Sequence, residues 1–170
     1  MFLQALTVLL VGWHVFTRSQ DFPEFQVCDF IQLESGMRVL VCYAKNDQKG
    51  ITRAPVLAFA EDHRACPVRM YQSCAAALNL RVHPSGNKVE GEPQRCTVCP
   101  PAFPSVTRHR RVSGSPMPKA RVMEMLRMLF LQLASRGALT EQEARAISSK
   151  SLRCGGVTQA AASCIRDGVV

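Results

Sequence analysis

No asparagine in this chain stands two residues ahead of a serine or threonine: Asn46, Asn79 and Asn87 all lack the hydroxyl that an N-glycosylation acceptor needs. The apolar opening run MFLQALTVLLVGWHVF has no lysine or arginine before it. No small-x-small cleavage site follows it either, because it gives way to Phe16-Thr17-Arg18. Together these absences weigh against a secretory signal. The run is also too short and too interrupted for a membrane span. Internal repeats are missing, and tyrosine is scarce, with only Tyr43 and Tyr71 present.

What is present is a globular composition. The chain has 170 residues, 47% of them apolar and 20% charged, enough for one domain with a real core. Its 21 Lys and Arg outnumber 13 Asp and Glu, leaving a formal charge of +8. That excess favours a polyanionic partner, either nucleic acid or an acidic membrane surface, although an ordinary basic enzyme surface carries the same signature. Eight cysteines make a disulfide framework only in an oxidising compartment. An intracellular setting, nuclear in a eukaryote, is the expected one, with most cysteines reduced and several acting as small core residues.

Helical spacing of Leu3, Leu6, Leu9, Leu10 and Trp13 predicts a buried helix over Met1 to Phe16. Three strand-like runs follow: Gln26 to Leu33, Met37 to Ala44 and Thr52 to Phe59. Glu34-Ser35-Gly36 and the polar segment KNDQKG (Lys45 to Gly50) separate them. Short β-rich runs punctuated by turn residues predict an antiparallel meander. Cys66-Pro67 opens a helix to about Leu78, with proline in its first turn. Leu80 to Pro118 is rich in Pro, Gly and basic residues, too long for an ordinary structureless connection, and is read as a functional or a mobile segment. Val122, Met125, Leu126, Leu129, Phe130 and Leu133 then form one apolar helix face, with Gly137 as its C-terminal cap. Thr140-Glu141-Gln142-Glu143 fits a capping box, and further helices are expected from about Ser151 and Asp167. The fold class expected is α+β: a mostly helical domain with a small three-stranded antiparallel sheet.

Three basic residues fall at the ends of these elements: Arg18 in FTRSQD, Lys45 in AKNDQKG and Arg153 in KSLRCGGVTQAAA. Taken singly, each has an ordinary reading as a helix cap, a turn lysine or a surface helix residue. Taken together, in order and at these intervals, they resemble the catalytic domain of the tyrosine recombinases, the phage-integrase family. That family places a first arginine in R-x-x-E/D, matched by Arg18 and Asp21. A hairpin lysine follows, matched by Lys45. A second arginine ends H/K-x-x-R ahead of Gly-Gly, matched by Lys150 and Arg153.

The resemblance implies attack of a tyrosine hydroxyl on a DNA phosphodiester, passing through a 3′-phosphotyrosine. Two arginines would hold the non-bridging oxygens with permanently charged forked donors, and a lysine would protonate the leaving 5′-oxygen. Neither metal nor other cofactor is expected. Lys150 stands where the family more often has histidine, and is expected to contact phosphate. Neither tyrosine sits where the family's nucleophile would, so residues 1–170 are expected to form a partial catalytic domain, inactive alone, without the family's N-terminal DNA-clamping domain or tyrosine segment. Duplex DNA is the implied partner, with homo-oligomers on DNA in intact relatives; no membrane or small-molecule substrate is expected.

Other features stand apart from that match. Arg108, Arg110 and Arg111 surround His109 in a candidate phosphate-contacting strip, for which a solvated charge run is the equal alternative. Gly155-Gly156 implies close packing on a neighbour or close approach of a DNA backbone. Cys96-Thr97-Val98-Cys99 has zinc-knuckle spacing, but the partners sought for it, Cys66 or Cys74 with His63, His83 or His109, form no standard run. The rival to the recombinase reading is a secreted, disulfide-stapled binding protein without enzymatic activity.

Overall fold

The structure is a computed structural model that describes residues 2–15, 21–41, 54–82, 96–107 and 111–146. Helix α1 spans Phe2–Val15, α2 Pro67–Ala77, α3 Lys119–Ser135 and α4 Glu141–Ala146. Strands β1 (Phe30–Leu33), β2 (Gly36–Val39) and β3 (Val56–Ala58) form one antiparallel sheet in sequence order. Strands β4 (Pro104–Val106) and β5 (Val112–Pro116) form a second. The class is α+β, as the pattern of elements predicts. None of the described helices is long and apolar enough to cross a membrane.

Helix α1 is apolar nearly all round, so its sequence does not choose a face. Leu3, Leu6, Leu9, Leu10 and Trp13, the expected buried stripe, are only half-buried. The face actually buried carries Ala5, Val8, Val11, Gly12 and Val15, with Gln4 and Thr7 among them. These smaller side chains let α1 pack against both α2 and α3. The polar pair is satisfied: Gln4 Nε2 donates to Pro104 O at 2.9 Å, and Thr7 Oγ1 lies 2.8 Å from Leu3 O within α1 and 3.3 Å from Met70 O on α2.

The first strand begins later than expected. Val27–Asp29 winds into a 3₁₀ turn because the Asp29 carboxylate accepts the Gln26 N–H at 2.7 Å, so the ladder starts only at Phe30. From there Phe30 pairs with Val39 and Leu33 with Gly36, and β2 continues onto β3 with Met37 against Leu57. The inward face of this sheet meets an aromatic cluster of Phe22, Phe25, Phe30, Tyr71 and Phe103.

The largest departure lies in the Pro-rich connection. Within Leu80 to Pro118 the chain folds back as the β4–β5 pair, with Pro104 opposite Pro116, Val106 opposite Val112 and an irregular register between. Short strands bounded by proline carry too little alternation to be read from sequence. Pro101 meanwhile bridges to Gln26, and the Ala102 N–H donates to Phe25 O at 2.8 Å. The connection is thereby stitched to the start of the sheet.

Helix α3 and its end follow expectation. Val122, Met125, Leu126, Leu129 and Phe130 are buried, and Gly137 takes φ +75°. Its N–H donates to Ala134 O at 2.9 Å while Ala138 donates to Leu133 O at 3.0 Å, closing the last turn. The helices expected from Ser151 and Asp167 lie outside the described residues.

Candidate functional site

Of the residues singled out by motif, Arg18, Lys45, Lys150, Arg153, Arg108 and Arg110 lie outside the described residues. The elements that flank them are described. Helix α1 ends at Val15, three positions before Arg18. Strands β2 and β3 are antiparallel neighbours, and the Val39 N–H donates to Pro55 O at 2.9 Å, so the segment holding Lys45 connects two paired strands. Helix α4 closes at Ala146, ahead of Lys150 and Arg153.

Arg111 is described and exposed. It immediately precedes β5, where the Thr107 N–H donates to Arg111 O at 2.9 Å and the Arg111 N–H donates to Thr107 Oγ1 at 3.2 Å. Arg108 and Arg110 fall between these two paired residues in sequence. Of the tyrosines, Tyr43 is outside the described residues, and Tyr71 is 5% exposed within the aromatic cluster. Burial pushes the Tyr71 hydroxyl well above its ordinary pKa, with smaller contributions from Cys74, Asp29 and Cys28.

A second constellation is fully described. The Cys96–Cys99 turn folds against the 3₁₀ turn at Val27–Asp29, and the sulfurs of Cys28, Cys96 and Cys99 all lie within 4.8 Å of one another. Gln26 holds the two turns together. Its Oε1 accepts the Cys96 N–H at 2.8 Å, and its Nε2 donates to the carbonyls of both Cys96 and Cys99. The Val27 N–H donates to Pro100 O at 3.1 Å, one residue beyond the turn. Inside the turn, the Cys99 N–H points at Cys96 Sγ at 3.3 Å. Burial acts to raise the Cys96 thiol, but donors from the Val98 and Cys99 backbone, and the thiols of Cys99 and Cys28, hold it below its usual range.

The third sulfur therefore comes from Cys28 rather than from Cys66 or Cys74. Cys66 caps α2 and accepts the Ala60 N–H at 3.4 Å. Cys74 is buried on α2, where burial pushes its thiol up while the Thr7 hydroxyl opposes that shift. No local spacing signals the Cys28 contact, because the Gln26–Pro101 bridge that makes it is a long-range pairing. Among the described residues Cys28, Cys66, Cys74, Cys96 and Cys99 form no disulfide with one another. No protein-family model matches this chain and no curated protein matches it, so the two constellations are read from their own residues.

Proposed function

We propose that this chain is a duplex-DNA-binding module of the tyrosine-recombinase kind, with Arg18, Lys45, Lys150 and Arg153 arranged about one backbone phosphate. The observation that carries the reading is topological. Lys45 falls in the connection between two strands that pair antiparallel, β2 and β3, in a sheet that follows a helix ending just ahead of Arg18. That order of helix, arginine, sheet, hairpin lysine and later helices is the order the motifs require. The net charge of +8 supports a polyanionic partner.

In this reading the arginines neutralise the non-bridging phosphate oxygens with forked donors that stay charged at any working pH. Lys45, a compact ammonium, serves the leaving oxygen, and Lys150 adds a further phosphate contact. Arg108, Arg110 and Arg111 extend the contact along the DNA backbone. Strand breakage and rejoining through a 3′-phosphotyrosine belong to intact relatives; Tyr71, stacked in the core, is unsuited to that attack. The activity proposed for this chain is binding to duplex DNA; homo-oligomers on DNA, like cleavage, belong to intact relatives.

The test is binding of a labelled duplex across a salt series. Affinity is expected to fall steeply as salt rises, by a factor that counts the phosphates contacted. The Arg18→Ala, Arg153→Ala double variant is expected to bind at least about tenfold more weakly at fixed salt. A double variant that binds as well as the parent chain would remove the shared phosphate site.

A further inference from the structure

We propose that Cys28, Cys96 and Cys99 form a site for a thiophilic divalent cation, Zn²⁺ above all, that clamps the Pro-rich connection to the start of the sheet. The inference is independent of the DNA-binding reading and uses none of its residues.

Three observations converge on it. The sulfurs come from two separate turns yet lie within 4.8 Å of one another. A tetrahedral ion with Zn–S bonds of about 2.3 Å needs sulfurs about 3.8 Å apart, so closure by roughly an ångström completes the set. The donor types are also right, since thiolates favour zinc over the harder magnesium and calcium ions.

The second observation is the turn itself. In Cys96-Thr97-Val98-Cys99 the Cys99 N–H is aimed at Cys96 Sγ, a donor that stabilises a metal-bound thiolate as well as a free one. The turn presents both sulfurs on the side that faces Cys28.

The third is the support around the sulfurs. Gln26 spends its whole side-chain amide on the backbone of Cys96 and Cys99. Asp29 spends an oxygen on the Gln26 N–H, fixing the 3₁₀ turn that carries Cys28. Outer contacts of this kind orient ligands before an ion arrives and lower the ordering cost of binding. Cys28 and Cys99 are buried while Cys96 is half-buried, which leaves an approach from solvent on one side. The fourth coordination position is left to water or another donor. The ligating form is the thiolate, so binding displaces the thiol protons into solvent.

The experiment is metal analysis of the full chain purified under reducing conditions, followed by titration with Co²⁺ as a spectroscopic stand-in for Zn²⁺. One ion per chain is expected, with intense sulfur-to-cobalt charge-transfer absorption and the visible bands of a tetrahedral centre, both removed by stoichiometric Zn²⁺. Removing a residue that only orients a ligand costs roughly 10- to 100-fold in affinity, so Cys28→Ser, which replaces a ligand itself, is expected to cost at least about 100-fold. Because Cys28 is buried and its variant can fail to fold, Cys96→Ser at the half-buried position provides the same reading. Cys66→Ser is expected to leave stoichiometry and spectrum unchanged. Absence of bound ion above the level of a Cys28, Cys96, Cys99 triple serine variant would overturn the proposal. So would a metal-free chain in which alkylation before reduction finds two of these three sulfurs joined, a result that would instead favour the disulfide-stapled rival.

Discussion

The ring of Tyr71 lies flat against that of Phe30, with centroids 3.9 Å apart and planes 13° from parallel. The stack joins α2 to β1 and places the Tyr71 hydroxyl in the interior, where it finds no hydrogen-bond partner among the described residues. A buried hydroxyl without a partner is a cost that its ring must offset. Tyr71→Phe keeps the stack and removes the cost, so it is expected to stabilise the fold by about 1 kcal/mol. Tyr71→Ala removes the ring as well and is expected to destabilise by about 4 kcal/mol. Urea denaturation of both variants checks the pair; a destabilised Tyr71→Phe would show that the hydroxyl is bonded after all.

Gly36 marks a second point where shape decides. A Cβ built there would sit 2.0 Å from Leu57 O and 3.0 Å from Ala58 Cα, both backbone atoms of the paired strand. Neither can swing aside as a side-chain tip can, so the β2–β3 ladder must open to admit a methyl group. Gly36→Ala is expected to cost about 3 kcal/mol. Denaturant midpoints measure the loss, and amide exchange at Met37 and Arg38 is expected to speed up first. A variant as stable as the parent chain would mean that the two strands are not packed this closely.

How much of this was legible in the sequence depends on the distance over which each feature is encoded. Local signals carried well. Pro67 opens α2, Gly137 closes α3, and the Thr140–Glu143 box opens α4, because each is settled within a few residues. The antiparallel sheet was legible too, although Asp29 shortened its first strand by capturing the Gln26 N–H. The buried face of α1 was not, since an all-round apolar helix leaves the choice to its neighbours. The β4–β5 pair and the Cys28 contact were invisible for a similar reason: both depend on pairings made far along the chain. The motif residues of the DNA-binding reading fall outside the described residues except for Asp21 and Arg111, so that site rests on sequence motifs and flanking topology.

The cap of α4 yields a prediction with a definite sign. Glu143 Oε2 accepts the Thr140 N–H at 2.7 Å and the Thr140 hydroxyl at 2.8 Å, while the Glu143 N–H donates back to Thr140 Oγ1 at 3.2 Å. The Thr140 N–H, with the hydroxyl second, holds the Glu143 carboxyl below its ordinary value of 4.5. A carboxyl depressed by folding contributes stability above its unfolded value and loses it as pH falls through the folded one. Helix α4 is therefore expected to keep its cap above about pH 4.5 and to lose it progressively below that. Carboxyl ¹³C shifts followed through a pH titration read the Glu143 value directly. Thr140→Val is expected to return it part of the way, because the backbone donor survives, and Glu143→Gln is expected to remove the part of the pH dependence of α4 that the cap contributes. An unshifted Glu143 titration would remove the cap.

Arg111 offers the most direct separation of a DNA contact from a solvated charge. It is exposed, and what holds it in place is its own backbone N–H and carbonyl bonded to Thr107, which alanine at that position keeps. Arg111→Ala is therefore expected to leave the urea midpoint unchanged within about 0.5 kcal/mol. If the guanidinium meets a phosphate, the same change lowers the salt slope of duplex binding by about one and weakens binding equally on unrelated sequences. Adding Arg108→Ala and Arg110→Ala is expected to lower the slope by about three in total, one for each phosphate no longer neutralised. Weaker binding on one sequence alone would instead assign the strip to base recognition. A slope unmoved by the triple variant would return these arginines to the ordinary solvated surface and confine DNA binding to the residues about Arg18, Lys45 and Arg153.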